Sequence, residues 1–172
     1  MQKRTVTTIL TVLILAVIYF FFQEDEEANA TFLRVVDGDT FLAEIDGEEE
    51  YVRLLLVDTP ELDHKAGNHQ PFAEEASARM ADSFDKFDPI FLEYGTDERD
   101  RYDRVLAYLY TKDDELFNEL LIKEGLARVA YVFPPNDKYA SDFYKAESEA
   151  RNKKIGVWSI SNYVTNRGFQ IQ

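Results

Sequence analysis

The sequence predicts a β-barrel with helices: a five-stranded Greek-key barrel of the OB type carrying about three α-helices. Three observations predict it. Asp37-Gly38 and Asp46-Gly47 separate short β-branched and aromatic runs, so the first three strands follow one another as an antiparallel meander. Phe72, Ala76, Met80 and Phe84 then recur every four residues, a helical period placed between the third and fourth strands. Two apolar runs, Ile90 to Tyr94 and Val105 to Tyr110, return to complete the barrel.

In chain order, Thr31 to Val36 and Thr40 to Ile45 read as the first two strands and Tyr51 to Val57 as the third. Leu54, Leu55, Leu56 and Val57 leave no solvent face at a period of two, which predicts a strand buried on both sides. Pro60 cannot donate to a ladder and holds Thr59 extended, so the strand should end with Asp58 and the Thr59 carbonyl on a rigid rim, followed by Glu61. Leu62 to Gln70, with His64 and His69, has no apolar period and reads as a loop with solvated histidines rather than a transition-metal pair. Pro71 opens the first helix. Gly95 to Asp103 reads as a polar turn between the last two strands.

Asp113 or Asp114 is positioned to cap a helix with the stripe Leu116, Phe117, Leu120 and Leu121, ended by Gly125. Ala127 to Phe133 is an extended run stopped by Pro134-Pro135-Asn136, and Tyr139 to Asn152 is amphipathic at helical spacing. Ile155, Val157 and Trp158 should fold back on the core, with Tyr108, Tyr110 and Phe133 inside the barrel and Trp158 as a packing anchor. Thr165 to Gln172 is expected to be a frayed tail. The predicted organisation is an apolar segment over 1–23, an acidic spacer over 24–30, the barrel domain over 31–160 and a tail over 161–172.

The chain has 172 residues, 45% of them hydrophobic, enough for one core. It has no cysteine, which excludes disulfides and thiolate chemistry. Two basic residues precede an uncharged run from Thr5 to Phe22, and acids follow at Glu24 to Glu27. That charge order marks an export segment with the remainder outside the cytoplasm. Ala28-Asn29-Ala30 fits a cleavage site, while the length and aromatic end of the run suit a retained membrane anchor; both readings stand. The net charge is −14, and without Lys3 and Arg4 it is −16, which repels polyanions at long range and argues against nonspecific nucleic-acid binding. Chemistry on phosphates must then rest on a local cationic site or a bound cation. A small domain without an apolar patch is expected to be a monomer.

Two carboxylates and a free carbonyl at a strand end suit a hard, oxygen-seeking cation such as calcium. Strand ends of a barrel share a rim, so Asp39 and Asp58 can converge on one cation with Glu61 beside a bound water. Arg53 and Arg104 are candidates for a phosphodiester, which guanidinium forks suit. Arg53 and Asp58 are five residues apart, about 16 Å along a straight strand at ~3.3 Å per residue, so a shared site demands a bulge or strong coiling.

VVDGDTF (Val35 to Phe41), VRLLLVDTPE (Val52 to Glu61), DRYDRVLAYLY (Asp100 to Tyr110), LIKEGLARVAYVF (Leu121 to Phe133) and VWS (Val157 to Ser159) resemble, in order, the thermonuclease or staphylococcal nuclease family. The resemblance implies an OB barrel with three helices and calcium-dependent hydrolysis of DNA and RNA to 3′-phosphate products. It implies calcium ligation by Asp39, Asp58 and the Thr59 carbonyl, Glu61 beside the attacking water, and Arg53 and Arg104 on the phosphate. It makes Tyr102 and Tyr131 nucleotide contacts, and places Arg101 where the family usually has a lysine that meets a terminal phosphate. Stacking on those tyrosines suits single-stranded or breathing substrate. Three departures predict weaker substrate affinity: Asp103 in place of a glycine beside Arg104, Pro134 in place of a lysine, and the acidic surface. The rival readings are a catalytically silent OB-type binding module and a membrane-anchored structural or adhesive domain.

Overall fold

The computed structural model describes residues 28–63 and 67–170; the segment predicted over 1–23, most of the acidic spacer, His64 and the last two residues lie outside them. Among the described residues no helix is long and apolar enough to cross a membrane. Strands β1 (Ala30–Val35), β2 (Thr40–Ile45), β3 (Glu48–Leu54), β5 (Pro89–Arg99) and β6 (Val105–Tyr110) close a barrel in the order β1-β2-β3-β6-β5. The meander is antiparallel, with Thr40 opposite Arg53 and Phe41 opposite Val52, whereas β3 and β6 run parallel, with Arg53 opposite Leu106. The parallel pair needs a long crossover. Helix α1 (Ala73–Ser83) lies in it and turns Ala73, Ala76 and Met80 inward.

Helices α2 (Phe117–Lys123) and α3 (Ala140–Lys153) pack against each other beside the barrel. Phe32 stacks between Phe41 and Phe84, and Phe84 meets Phe117 edge-on, so aromatic rings join the meander to α1 and α2.

The predicted third strand is cut short. It ends at Leu54, and Leu55-Leu56 form a turn with Leu56 at φ 62°, after which β4 (Val57–Asp58) pairs with β7 (Arg128–Val129) as a separate ladder. A leucine in the left-handed region costs roughly 1–2 kcal/mol. What holds it there is satisfaction of every carbonyl on the bend. Arg53 Nη1 donates to Leu54 O at 2.8 Å and Val57 O at 2.9 Å, Asn118 Nδ2 to Leu55 O at 2.9 Å, and the Ala130 amide to Leu56 O at 3.1 Å. An apolar run therefore bends while staying buried, because its polar backbone is paired from three directions.

Other predicted elements shift for local reasons. The polar stretch after Tyr94 continues β5 as far as Arg99, with a register shift against β6, so the turn shortens to the residues around Asp103. Neither Asp113 nor Asp114 caps α2; Leu116 is its N-terminal boundary, and Thr111 Oγ1 accepts from the Asp113 and Glu115 amides instead. The extended run Ala127 to Phe133 is strand only at β7, and Tyr131, at φ 56°, turns outward. Phe133 is 69% exposed, not core, whereas Tyr108 is buried. Val157 is buried in the turn Gly156–Ser159 and Trp158 lies beneath Arg151. The predicted tail forms a small hairpin, Val164–Thr165 against Gly168–Phe169, anchored by Tyr163, whose hydroxyl donates to Pro71 O at 2.7 Å.

Candidate active site

The bend at Leu55-Leu56 decides the site. It brings Asp58 back beside the strand it left, so Arg53 Nη2 lies 3.6 Å from Asp58 Oδ1 and 3.1 Å from Asp39 Oδ2. The coiling that a shared site demanded is present, and the straight-strand separation does not arise. Asp39 begins where the first hairpin enters β2. Its Oδ2 accepts from the Thr59 amide at 2.9 Å and its Oδ1 from Thr40 Oγ1 at 3.0 Å, which ties the first hairpin to the rim formed by Thr59 and Pro60. Arg53, Asp39, Asp58 and Thr59 are all buried.

The hairpin approaches the helix closely. A methyl group on Gly38 would overlap Ala76 and the Thr59 side chain, so only glycine lets the turn seat against α1. Gly38→Ala is expected to destabilise the protein by about 1–3 kcal/mol through overpacking and to displace Asp39, which urea denaturation measures.

Asp58 takes a second cation: Arg128 Nε donates to its Oδ2 at 2.8 Å. Arg128 and Asn118 are site residues that sequence reasoning missed. The only available signal was a basic residue in an otherwise apolar run and an asparagine in an apolar stripe, since polar residues in such settings require a partner. Glu61 stands exposed at the mouth, its amide held by Gln70 Oε1 at 2.8 Å.

The carboxylates raise one another. Burial and then Asp39 push Asp37 up to about 7. Burial raises Asp58 against the opposing pull of Arg128, and Glu61, although it reaches solvent, is raised by partial desolvation beside the cleft and then by Asp39 and Asp58. A carboxyl whose folded value exceeds its unfolded one favours the fold while protonated, so Asp37 withdraws stability as pH rises from about 3.8 to about 7. A cation among these groups would restore it.

Opposite them Asp100 organises Arg104. Asp100 Oδ2 accepts from Arg104 Nε at 2.8 Å and Nη2 at 2.7 Å, while Oδ1 accepts from the Tyr102 and Arg104 amides. Despite partial desolvation, the bond from Arg104 and the two amides hold the Asp100 carboxyl below its usual range. The charge expected to oppose Arg104 therefore comes from Asp100, not Asp103. Asp103 takes the turn at φ 65° and reaches Arg99 at 3.7 Å, while Arg99 is clamped by Glu50 at 2.7 and 3.0 Å.

Arg53, Asp39, Asp58, Glu61, Arg104 and Tyr131 line one cleft of about 750 Å³, which Arg101, Tyr102 and Phe133 also border. Tyr102 and Tyr131 are exposed, Arg104 lies 5.5 Å from the Tyr102 ring centre and Arg53 5.7 Å from that of Tyr131. Each inner arginine thus has an aromatic face beside it. Arg101 rests on Tyr102, its Nη2 2.6 Å from the hydroxyl. Of the residues given metal, phosphate or nucleotide roles in the sequence, all border this cleft except Thr59, whose amide donates to Asp39. His69 lies elsewhere, 3.7 Å from Glu74, and its Nδ1 accepts from the Asp63 amide.

Among the described residues no group of three His, Cys, Asp or Glu side chains forms a cation cage by itself. The possible metal ligands among the side chains that line the cleft are oxygens, the carboxylates of Asp37, Asp39, Asp58, Glu61, Asp97 and Asp100 among them, and with water completing the shell such a set fits a hard divalent cation rather than a soft one.

A family model described as staphylococcal nuclease homologue matches residues 51–160. Endonuclease YncB of Bacillus subtilis is 46% identical over 142 residues, 82% of this chain and 66% of its own length. The SPbeta prophage-derived endonuclease YokF of the same organism is 45% identical over 84% of this chain and 48% of its own. The chain thus spans less than two thirds of these two relatives. A thermonuclease of Staphylococcus intermedius is 42% identical over 125 residues, 73% of each chain.

Proposed function

From the premise that this chain belongs to the staphylococcal nuclease family, we propose that it is a calcium-dependent nuclease hydrolysing phosphodiester bonds of DNA and RNA. In this reading it prefers single-stranded or breathing substrate, leaves 3′-phosphate products and works as a monomer outside the cytoplasm, secreted or anchored by residues 1–23. The observation that carries it is the convergence of Asp39 and Asp58 on Arg53, across one cleft from Arg104. The relatives named endonuclease and thermonuclease support hydrolysis.

Asp39, Asp58 and the Thr59 carbonyl would hold the calcium. When bound it offsets the repulsion between an anionic phosphodiester and an anionic nucleophile. Arg53 and Arg104 donate to the non-bridging oxygens where charge accumulates, already oriented by Val57 O and Asp100. Glu61, raised by its surroundings, takes the proton of the attacking water. A P–O bond forms to that water as the P–O5′ bond breaks and O5′ takes a proton from solvent, leaving a 3′-phosphate and a 5′-hydroxyl. The exposed faces of Tyr102 and Tyr131 receive unstacked bases.

The test is hydrolysis of heat-denatured DNA by the purified chain with calcium and with a calcium-specific chelator. Activity that appears with calcium and vanishes on chelation is expected. A folded protein without activity in calcium would instead be a silent binding module. Recovery of the activity from medium or membranes rather than cytoplasm checks the address.

A further inference from the structure

Asp58 is held on both sides, and the two sides differ. Its Oδ1 lies 3.6 Å from Nη2 of Arg53, and both residues line the cleft. Its Oδ2 faces Arg128 at 2.8 Å, across the antiparallel pair in which Asp58 stands opposite Arg128. Both arginines are buried, but Arg53 lines the cleft whereas Arg128 is not among the residues that line it. The charge of Arg128 therefore acts on the site through Asp58 and not through the phosphate. Asp39 differs again: apart from Arg53 its oxygens accept from uncharged donors, the Thr59 amide and Thr40 Oγ1.

We propose that Arg128 is a counter-charge that limits how tightly the site binds calcium, by occupying the Asp58 oxygen that Arg53 does not approach. The inference rests on the calcium reading of the site. Calcium affinity follows the number of charged oxygens offered and how freely they are offered. A guanidinium bonded to the far oxygen of a ligating carboxylate does both things that weaken the ion: it removes a donor and adds a like charge behind the one that remains. It also neutralises Asp58 before calcium arrives, so calcium gains less from pairing with it. Arg128 is then a positioning and tuning residue. It keeps the site in the class of weak sites that fill only where calcium is plentiful, about 10⁻⁴–10⁻³ M.

The alternative is an ion pair that serves stability alone, and calcium affinity separates the two. Calcium chloride is titrated calorimetrically into the full chain, into Arg128→Gln and into Arg128→Lys, at about pH 8.5, well above ordinary carboxyl values. The glutamine variant is expected to bind calcium about tenfold more tightly, while the lysine variant, which keeps the charge, stays within about twofold of the parent. Equal or weaker binding by a folded Arg128→Gln overturns the proposal, and so does a tenfold gain in Arg128→Lys. Removing one partner of a buried pair can unfold a protein. In that case all three chains are titrated in trimethylamine N-oxide, which favours the folded state, with fluorescence of the single tryptophan, Trp158, reporting the fold. Tenfold tighter binding by the refolded Arg128→Gln supports the proposal, and equal or weaker binding overturns it. If the parent chain itself binds no calcium, the functional reading has failed, and that result is distinct from either outcome in the variants.

Discussion

Arg53→Lys is expected to lower kcat on heat-denatured DNA by about 10²–10³-fold, although the charge is retained. Lysine keeps the cation but loses the fork. One nitrogen of the guanidinium pairs the carbonyls of Leu54 and Val57, and the other sits between Asp39 and Asp58. A single ammonium cannot do both. If it stays with the carboxylates, two carbonyls on the bend lose their donor in a buried setting, at about 1–2 kcal/mol each. If it turns to the carbonyls, Asp39 and Asp58 lose the cation between them, and under the proposed function no Arg53 donor is left for the phosphate. Activity should therefore fall together with a loss of about 2–4 kcal/mol in urea denaturation. A variant that keeps more than a tenth of parental kcat while folded would show that Arg53 does not touch the reacting phosphate. Arg53→Met removes the charge as well and leaves Asp39 without its cation, so its loss of stability should be larger, about 3–5 kcal/mol.

The same bend explains why the fold was legible in the sequence and the site only partly so. Strand and turn chemistry is local: Asp37-Gly38 and Asp46-Gly47 mark two hairpins that the structure contains, and β2 has the limits its residues predict. The bend is not local. Leu54 to Val57 read as one buried strand because apolar character reports burial and not direction. The partners that turn the backbone, Asn118 and Ala130, lie more than sixty residues away in sequence. The need for a bulge was visible as a contradiction, since Arg53 and Asp58 could not share a site without one. Arg128 was hidden for a related reason. Its meaning depends on pairing between β4 and β7, two strands of two residues each that carry no periodicity of their own. Phe133 reads as barrel core, yet the left-handed turn at Tyr131 precedes it and it lies exposed on the border of the cleft.

Glu61→Gln separates two things a carboxylate can do beside a reacting water, orient it or take its proton. The amide keeps nearly the same shape and still accepts a hydrogen bond, but it cannot bind a proton at these pH values. Glu61 is raised above its ordinary value by burial and by Asp39 and Asp58, with Arg53 and Arg104 pulling the other way. A raised value makes a stronger base, and it places an acid limb on the rate: activity falls as pH drops and Glu61 takes up a proton. If Glu61 is the base, Glu61→Gln loses about 10²–10⁴-fold in kcat. The residual rate then lacks the part of the acid limb that belonged to Glu61. The variant should fold as well as the parent or better, because an ionised group repelled by Asp39 and Asp58 has become neutral. Calcium affinity, read calorimetrically, should fall far less than kcat, since Asp39 and Asp58 remain. A loss of less than about tenfold with the acid limb intact would assign Glu61 to orientation alone and leave the proton to solvent.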